Sequence, residues 1–252
     1  MAQVARAIAS SLGLNCTLSE AIALGHDCGH GPGGHASEDA LSPYIPGGYE
    51  HAKWGADITL SELNLCSETL DGIRNHSWSR PAPSTPEGEV VSWADRIAYV
   101  CHDFEDAKHL EIVHSEILPQ EVQQLCGHQR REQLSTFIEA VIHTSAQTGI
   151  IGMDPEIANA LALFRSFNYE YIYLREESLR QSAQVVDLLR GLTEHYLTHP
   201  ADLPEDLYGG NSNVESVVAY VAGMTDRFAC LKAQQLLGWE ANRLPTGIGN
   251  GI

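Results

Sequence analysis

The sequence predicts an all-α chain, a helical bundle carrying a smaller helical sub-lobe toward its carboxy terminus. Three observations lead there. Apolar residues recur at three- and four-residue spacing along most of the 252 residues. Helix start and stop signals separate those stretches. No stretch keeps a period-two alternation between hairpin turns, as strands require. Residues 1–153 are expected to form the core and residues 154–252 an extension packed on it.

The elements follow in order. Val4, Ile8 and Leu12, with Ala2, Ala5 and Ala9 between them, predict a first helix whose start nothing caps. Thr17 or Ser19 is expected to cap a second helix that turns Ala21, Ile22 and Leu24 inward and ends at His26-Asp27. A short helical piece is expected over 36–41, then helices over 49–63 and 67–76. Pro81, Pro83 and Pro86 make 77–86 a loop, and a long helix follows over 87–110. Helical spacing continues over 122–126, 131–145, 154–174, 176–199 and 214–237. Asp154-Pro155-Glu156 and Ser212 with Glu215 are start signals, and Gly127, Gly149 and Gly152 are breaks. Residues 200–213 are expected to be a loop and the glycine-rich 244–252 a frayed tail.

One stretch is not explained by packing. Between His26 and Glu38 lie His26, Asp27, His30, His35 and Glu38, interrupted by Gly29, Gly31, Pro32, Gly33 and Gly34. Five ligand-type side chains in thirteen residues, on so little apolar scaffold, point to a metal or catalytic site. Glycine admits positive φ and proline fixes φ, so the segment after Asp27 must turn sharply back toward the helix it leaves. An adjacent histidine and aspartate at a helix end can offer one divalent ion a nitrogen and an oxygen, and a further carboxylate is then needed from elsewhere. His35 and Glu38 are three apart on one helical face. On the long helix, Asp95, Tyr99 and Asp103 sit at i, i+4 and i+8, a polar stripe on an otherwise apolar element. Acidic groups on a buried face need a cation or a hydroxyl to hold.

The totals exclude some partners. With 33 acidic and 15 basic residues the formal net charge is −18, which disfavours nucleic acid and anionic membrane surfaces. An anionic substrate would need local cations to offset that field. The six cysteines have no CxxC spacing, which fits reduced thiols in a cytoplasmic chain. No apolar run approaches the roughly 18 residues of a membrane span.

His26-Asp27 ending a helix, with Asp95 in Ala94-Asp95-Arg96-Ile97-Ala98-Tyr99, resembles the HD-domain metal-dependent phosphohydrolases. The stretch Gly29-His30-Gly31-Pro32, then Gly34-His35-Ala36 and Glu38, is similar to the deoxynucleoside triphosphate triphosphohydrolases, the dGTPase branch of that superfamily. The likeness extends to Tyr49-Glu50-His51, Asn75-His76-Ser77, Ala98 to Asp103 and Tyr220 to Phe228, nearly the whole chain.

The resemblance implies that His26, Asp27 and Asp95 ligate a divalent ion, Mn²⁺ or Mg²⁺ with Fe or Co as alternatives. It implies that His35, oriented by Glu38, protonates the leaving 5′-oxygen or positions the attacking water. His30 and His51 would contact phosphate oxygens, with His76 a further phosphate contact, and Tyr99 and Asp103 would lie under the deoxyribose. The implied products are a deoxynucleoside and triphosphate, and the implied assembly is a homo-oligomer. The family carries a further metal-ligating histidine on the helix before the His-Asp pair, whereas no histidine precedes His26 here. The resemblance therefore implies a natural chain that begins upstream of Met1. Gly33 stands where the family often has Phe, which should loosen the turn. Two other readings stay open on sequence: a different HD-type nucleotide hydrolase, and a non-catalytic nucleotide-binding or regulatory protein lacking one ligand.

Overall fold

The computed structural model describes residues 1–204 and 213–246, and among these it contains helices and no strand. The expected loop over 200–213 and tail over 244–252 therefore lie partly outside the described residues. In chain order the α-helices are α1 (Ala2–Ser11), α2 (Cys16–Gly25), α3 (Ala36–Leu41), α4 (His51–Trp54), α5 (Ser67–Asn75) and α6 (Pro86–His109). They continue with α7 (Gln120–Cys126), α8 (Arg130–Thr148), α9 (Pro155–Asn168), α10 (Glu176–Thr198), α11 (Val214–Ala222) and α12 (Asp226–Leu237).

These helices group into two compact units that interleave along the chain. The first comprises Met1–His26 and Leu65–Glu176, the second Asp27–Asn64 and Glu177–Ile252. The first unit is built around α6. Thr85 caps it with an acceptor for the Gly88 amide, Pro86, Glu87 and Glu89 occupy its first turn, and Lys108 and His109 lie in its last. Those charges complement the helix dipole at both ends. Val90, Ala94, Ile97, Val100, Cys101 and Phe104 of α6 are buried against α1, α2, α5, α8 and α9. Two polar ties fix the register: the Glu87 carboxylate accepts from the Asn15 amide at 2.9 Å, and Asn168 donates to the Val100 carbonyl at 2.8 Å.

In the second unit, Leu188, Leu189, Leu192 and Tyr196 of α10 form one core with Val217, Val218 and Val221 of α11 and Ala229 and Ala233 of α12. Leu41, Tyr49 and Trp54 belong to the same core, so the segment that carries the histidine-rich turn is anchored on the carboxy-terminal helices.

Several expectations are corrected. Asn15, not Thr17 or Ser19, caps α2, its side chain accepting from the amides of Thr17 and Leu18 at 3.1 Å. Ile22 is fully buried, but Leu24 is 69% exposed, because a helix this short presents only one face to α6. The expected helix over 49–63 is α4 followed by a π-helical Gly55–Thr59 and a 3₁₀ turn Ser61–Leu63. The helix expected over 154–174 likewise passes into a π turn at Tyr169–Tyr173. The helix expected over 214–237 is two: α11 stops at Gly223, and Thr225 caps α12 by accepting from the Phe228 amide. Asn213 caps α11, whereas Ser212, the expected start signal, lies outside the described residues. The start signal at Asp154 holds, with its carboxylate accepting from the Glu156 amide at 2.9 Å.

Replacing the α2 cap, Asn15→Ala, removes the acceptor for two otherwise orphaned amides and should lower stability by about 1 kcal/mol. Urea unfolding measures it, and an unchanged midpoint would show that α2 is held by packing alone.

Candidate metal centre and its histidine turn

The first unit brings three of the expected residues together. His26 stands at the end of α2, His76 at the end of α5, and Asp95 on α6. Each imidazole is held by its own helix: His26 Nδ1 lies 2.9 Å from the Ala23 carbonyl and His76 Nδ1 2.8 Å from the Ile73 carbonyl. A carbonyl can only accept, so both Nδ1 atoms carry the proton and both Nε2 atoms carry the lone pair. That tautomer lock is how metal-ligating histidines are ordinarily oriented. His26 Nε2 is 3.4 Å from Asp95 Oδ1, and the two rings meet edge to face with centroids 5.0 Å apart. Ser92 of α6 donates to the His76 carbonyl, fixing the end of α5. Two basic nitrogens and a carboxylate, each with its rear atom already committed, fit a divalent cation of the oxygen- and nitrogen-loving class. His76, expected as a phosphate contact, meets His26 edge to face.

The polar stripe of α6 meets residues that the sequence reading did not single out. Arg165 of α9 donates through Nε to the Tyr99 hydroxyl at 2.7 Å and lies over the Tyr169 ring at 4.5 Å. Tyr173 donates its hydroxyl to the Asp103 carboxylate. Both tyrosines belong to the π turn after α9, where the extra residue per turn re-aims side chains toward α6. Arg96, next to Asp95, lies flat on Trp78 at 3.5 Å. Burial lowers the pKa of its guanidinium, and burial raises that of the Asp103 carboxyl despite the Tyr173 bond. Arg96 and Arg165 thus bring two guanidinium groups to this part of a strongly acidic chain. No periodic signal marks them, since each is one basic residue on a mixed helix.

The second unit begins at Asp27, one peptide bond after His26, and gathers the remaining residues. The turn from Cys28 to Gly34 leads into α3, with His35 at its N-cap and Glu38 in its first turn. Gly29 passes so close to α4 that an added Cβ would lie 2.0 Å from the His51 carbonyl oxygen and 2.4 Å from the Gly55 nitrogen. Only glycine fits there, and this approach brings His51, the first residue of α4, over the turn. Gly33 and Gly34 take φ of 78° and 62°, the left-handed region that glycine enters at little cost.

His30 and His51 stack at 3.8 Å with 16° between their planes, and His35 lies 4.6 Å and 5.5 Å from their centroids. One nitrogen from each ring falls within 4.8 Å of the others. Asp27 Oδ1 is 3.4 Å from His30 Nε2 and 3.5 Å from His51 Nε2. Glu38 Oε1 accepts from both the backbone amide and Nδ1 of His51, each at 2.8 Å. Glu38 therefore orients His51, whereas the sequence reading had it orienting His35. Three residues on a helix face do not settle the partner, because the turn brings α4 closer to Glu38 than His35 comes.

Burial pushes the Glu38 carboxyl up, but its bonds to His51 outweigh that and hold it below the ordinary carboxylate range. Burial lowers the pKa of His35, and the neighbouring imidazoles of His30 and His51 lower it further. His35 is consequently neutral at pH 7, a proton acceptor rather than a stored acid.

Residues 1–100 match the HD domain and residues 151–235 the phosphohydrolase-associated domain. The chain is 34% identical to a deoxyguanosinetriphosphate triphosphohydrolase-like protein of Caldanaerobacter subterraneus over 248 residues, covering 94% of this chain and 72% of that one. It is 35% identical to the protein of the same description from Clostridium perfringens over 249 residues, covering 90% and 72%. A relative from Clostridium tetani is 32% identical over 254 residues, covering 92% and 72%. The match over residues 1–100, on an all-α fold, makes the chain an HD-domain phosphohydrolase. The chain belongs to the deoxyguanosinetriphosphate triphosphohydrolase-like family. HD domains bind divalent metals, and the chain has histidine and aspartate groups able to hold one. The six cysteines form no disulfide, and no helix among the described residues is long and apolar enough to cross a membrane.

The Glu38 bonds make a pH-dependent prediction. Its folded pKa lies below its unfolded value, so its contribution is present above about pH 4.5 and is lost as pH falls through the lowered folded value. Glu38→Gln should lower neutral-pH stability by about 1.5 to 3 kcal/mol, the worth of a charged hydrogen bond. The gap to wild type should close on acidification. A gap that stays constant from pH 7 to about pH 3 would mean that the His51 bonds add nothing in the ionised state.

Proposed function

We propose that this chain hydrolyses deoxynucleoside triphosphates, dGTP among them, to the deoxynucleoside and intact triphosphate by attack of water at the α-phosphate. The observation that carries the reading is the approach of Asp95 to the Nε2 side of a tautomer-locked His26. His26, Asp27 and Asp95 would hold the divalent ion, of the Mn²⁺ or Mg²⁺ class, with the edge-on His76 in its surroundings. When bound, such an ion supplies positive charge at the phosphoryl group and makes a nearby water more acidic.

The chain's own residues supply the rest. His35, neutral because burial and its imidazole neighbours disfavour a further charge, accepts the proton of the attacking water. The resemblance implies that His35 positions that water or protonates the leaving 5′-oxygen; the leaving oxygen takes its proton from the imidazolium that His35 has by then become. His30 and His51 face phosphate oxygens, His51 kept in register by Glu38 behind it. Arg96 and Arg165 offset the charge of the triphosphate tail. Tyr99 and Asp103 lie along the deoxyribose, where the Asp103 carboxylate accepts from the 3′-hydroxyl in exchange for Tyr173. Such a reaction depends on positioning and charge neutralisation and needs no covalent nucleophile. The reading keeps residues 1–153 as the phosphohydrolase core and 154–252 as the extension, in a cytoplasmic homo-oligomer.

Incubation with Mn²⁺ and each deoxynucleoside triphosphate in ¹⁸O-water tests it. The expected products are deoxynucleoside and tripolyphosphate, with the label in the tripolyphosphate. Orthophosphate or pyrophosphate as the product, or label in the nucleoside, would overturn the reading. Asp95→Ala should reduce turnover by about 10² to 10³-fold. The pH profile of kcat/KM should lose activity on the acid side below pH 6.5, as His35 of the free enzyme takes up its proton. An acid limb above that value would assign the proton-accepting role elsewhere.

A further inference from the structure

We infer that the corner between α11 and α12 is the seat of the histidine turn, and that Asp226 is a positioning residue for His35. The inference rests on the reading above, in which His35 works on the reacting water. The turn is built from residues that hold no shape by themselves. Gly31, Gly33 and Gly34 lie between His30 and His35, and glycine loses more conformational freedom on ordering than any other residue. Local bonds close part of it: the Gly34 amide to the Gly31 carbonyl at 3.1 Å, and the Gly31 amide to Ser37 Oγ at 2.9 Å. Ser37 Oγ in turn donates to the Gly34 carbonyl at 2.7 Å.

All of those partners belong to the turn or to α3 directly after it, so they shape the arc without fixing where it points. Asp226, the first residue of α12 and 193 positions away, accepts from the Gly33 amide at 2.9 Å. The same corner touches the arc again from below, because a Cβ added to Gly31 would meet the Ala222 backbone at 3.4 Å. The arc is thus met by this corner at two positions, Gly31 and Gly33. Asp226 is itself held, as α12 starts at a Thr225 cap and packs Ala229 and Ala233 into the core of the second unit. A carboxylate at a helix start is also favoured by the dipole, which leaves Asp226 able to accept without cost to its own helix.

The consequence is that Asp226 acts on turnover through His35 and on little else. The test compares Asp226→Ala, Asp226→Ser, Asp226→Asn, His35→Ala and the double variant Asp226→Ala/His35→Ala, with dGTP and Mn²⁺, alongside thermal unfolding. Asp226→Ala and Asp226→Ser should lower kcat about 10- to 100-fold, the usual loss when a positioning partner is removed. KM should stay within about threefold of wild type, and Asp226→Asn should restore most of the loss through its amide oxygen. In the His35→Ala background the Asp226→Ala loss should vanish, the signature of two residues acting as a unit. An equal loss with and without His35 would reduce Asp226 to a structural residue and overturn the inference. Folded Asp226→Ala and Asp226→Ser proteins within about twofold of wild type would do the same, leaving the proposed function intact. Should His35→Ala turn over like wild type, the assignment of His35 fails first and this inference fails with it.

Discussion

A carboxylate facing an imidazole nitrogen at 3.4 Å, Asp95 against His26, is the contact on which the rest of the site depends. Asp95 belongs to a helix whose neighbouring turns are buried apolar residues, in a chain of net charge −18. A negative group there needs positive charge nearby. The structure prepares for it on every side: the carbonyls of Ala23 and Ile73 take the Nδ1 protons of His26 and His76, and Arg96 follows Asp95 in the chain. Helix ends place both histidines, so the geometry is set by where α2 and α5 stop as much as by the ligand types.

The histidine turn solves a different problem. Burial first, and then the two imidazoles within a few ångströms of it, hold the pKa of His35 below its ordinary value. Asp27 lies against His30 and His51, and Glu38 holds His51 through two hydrogen bonds. Gly29 makes the arrangement possible because α4 approaches to a distance that excludes any Cβ.

Much of this was legible in the sequence, for physical reasons. Helix class and most boundaries followed from periodicity, and α3 was expected at the bounds it has. The site residues stood out because ligand-type side chains gathered among glycines have no packing role. What escaped detection depends on tertiary approach. Glu38 was paired with His35 by helix spacing, yet α4 brings His51 to it. The long helix at 214–237 is cut by Gly223 and capped anew at Thr225, a signal present in the residues but masked by continuous apolar spacing. The π turns at Gly55 and Tyr169 arise from packing against neighbours, so no local pattern announces them, and Tyr173 and Arg165 were missed with them. Asp226, 193 positions from its partner, has no local trace at all.

The most direct measurement is the binding of Mn²⁺ by electron paramagnetic resonance, in wild type and in the His26→Ala and Asp95→Asn variants, with folding checked by circular dichroism. The account predicts one ion per chain and a loss of affinity of about 10²-fold or more in either variant. Wild-type affinity retained by both folded variants would place the cation away from this contact and contradict the account.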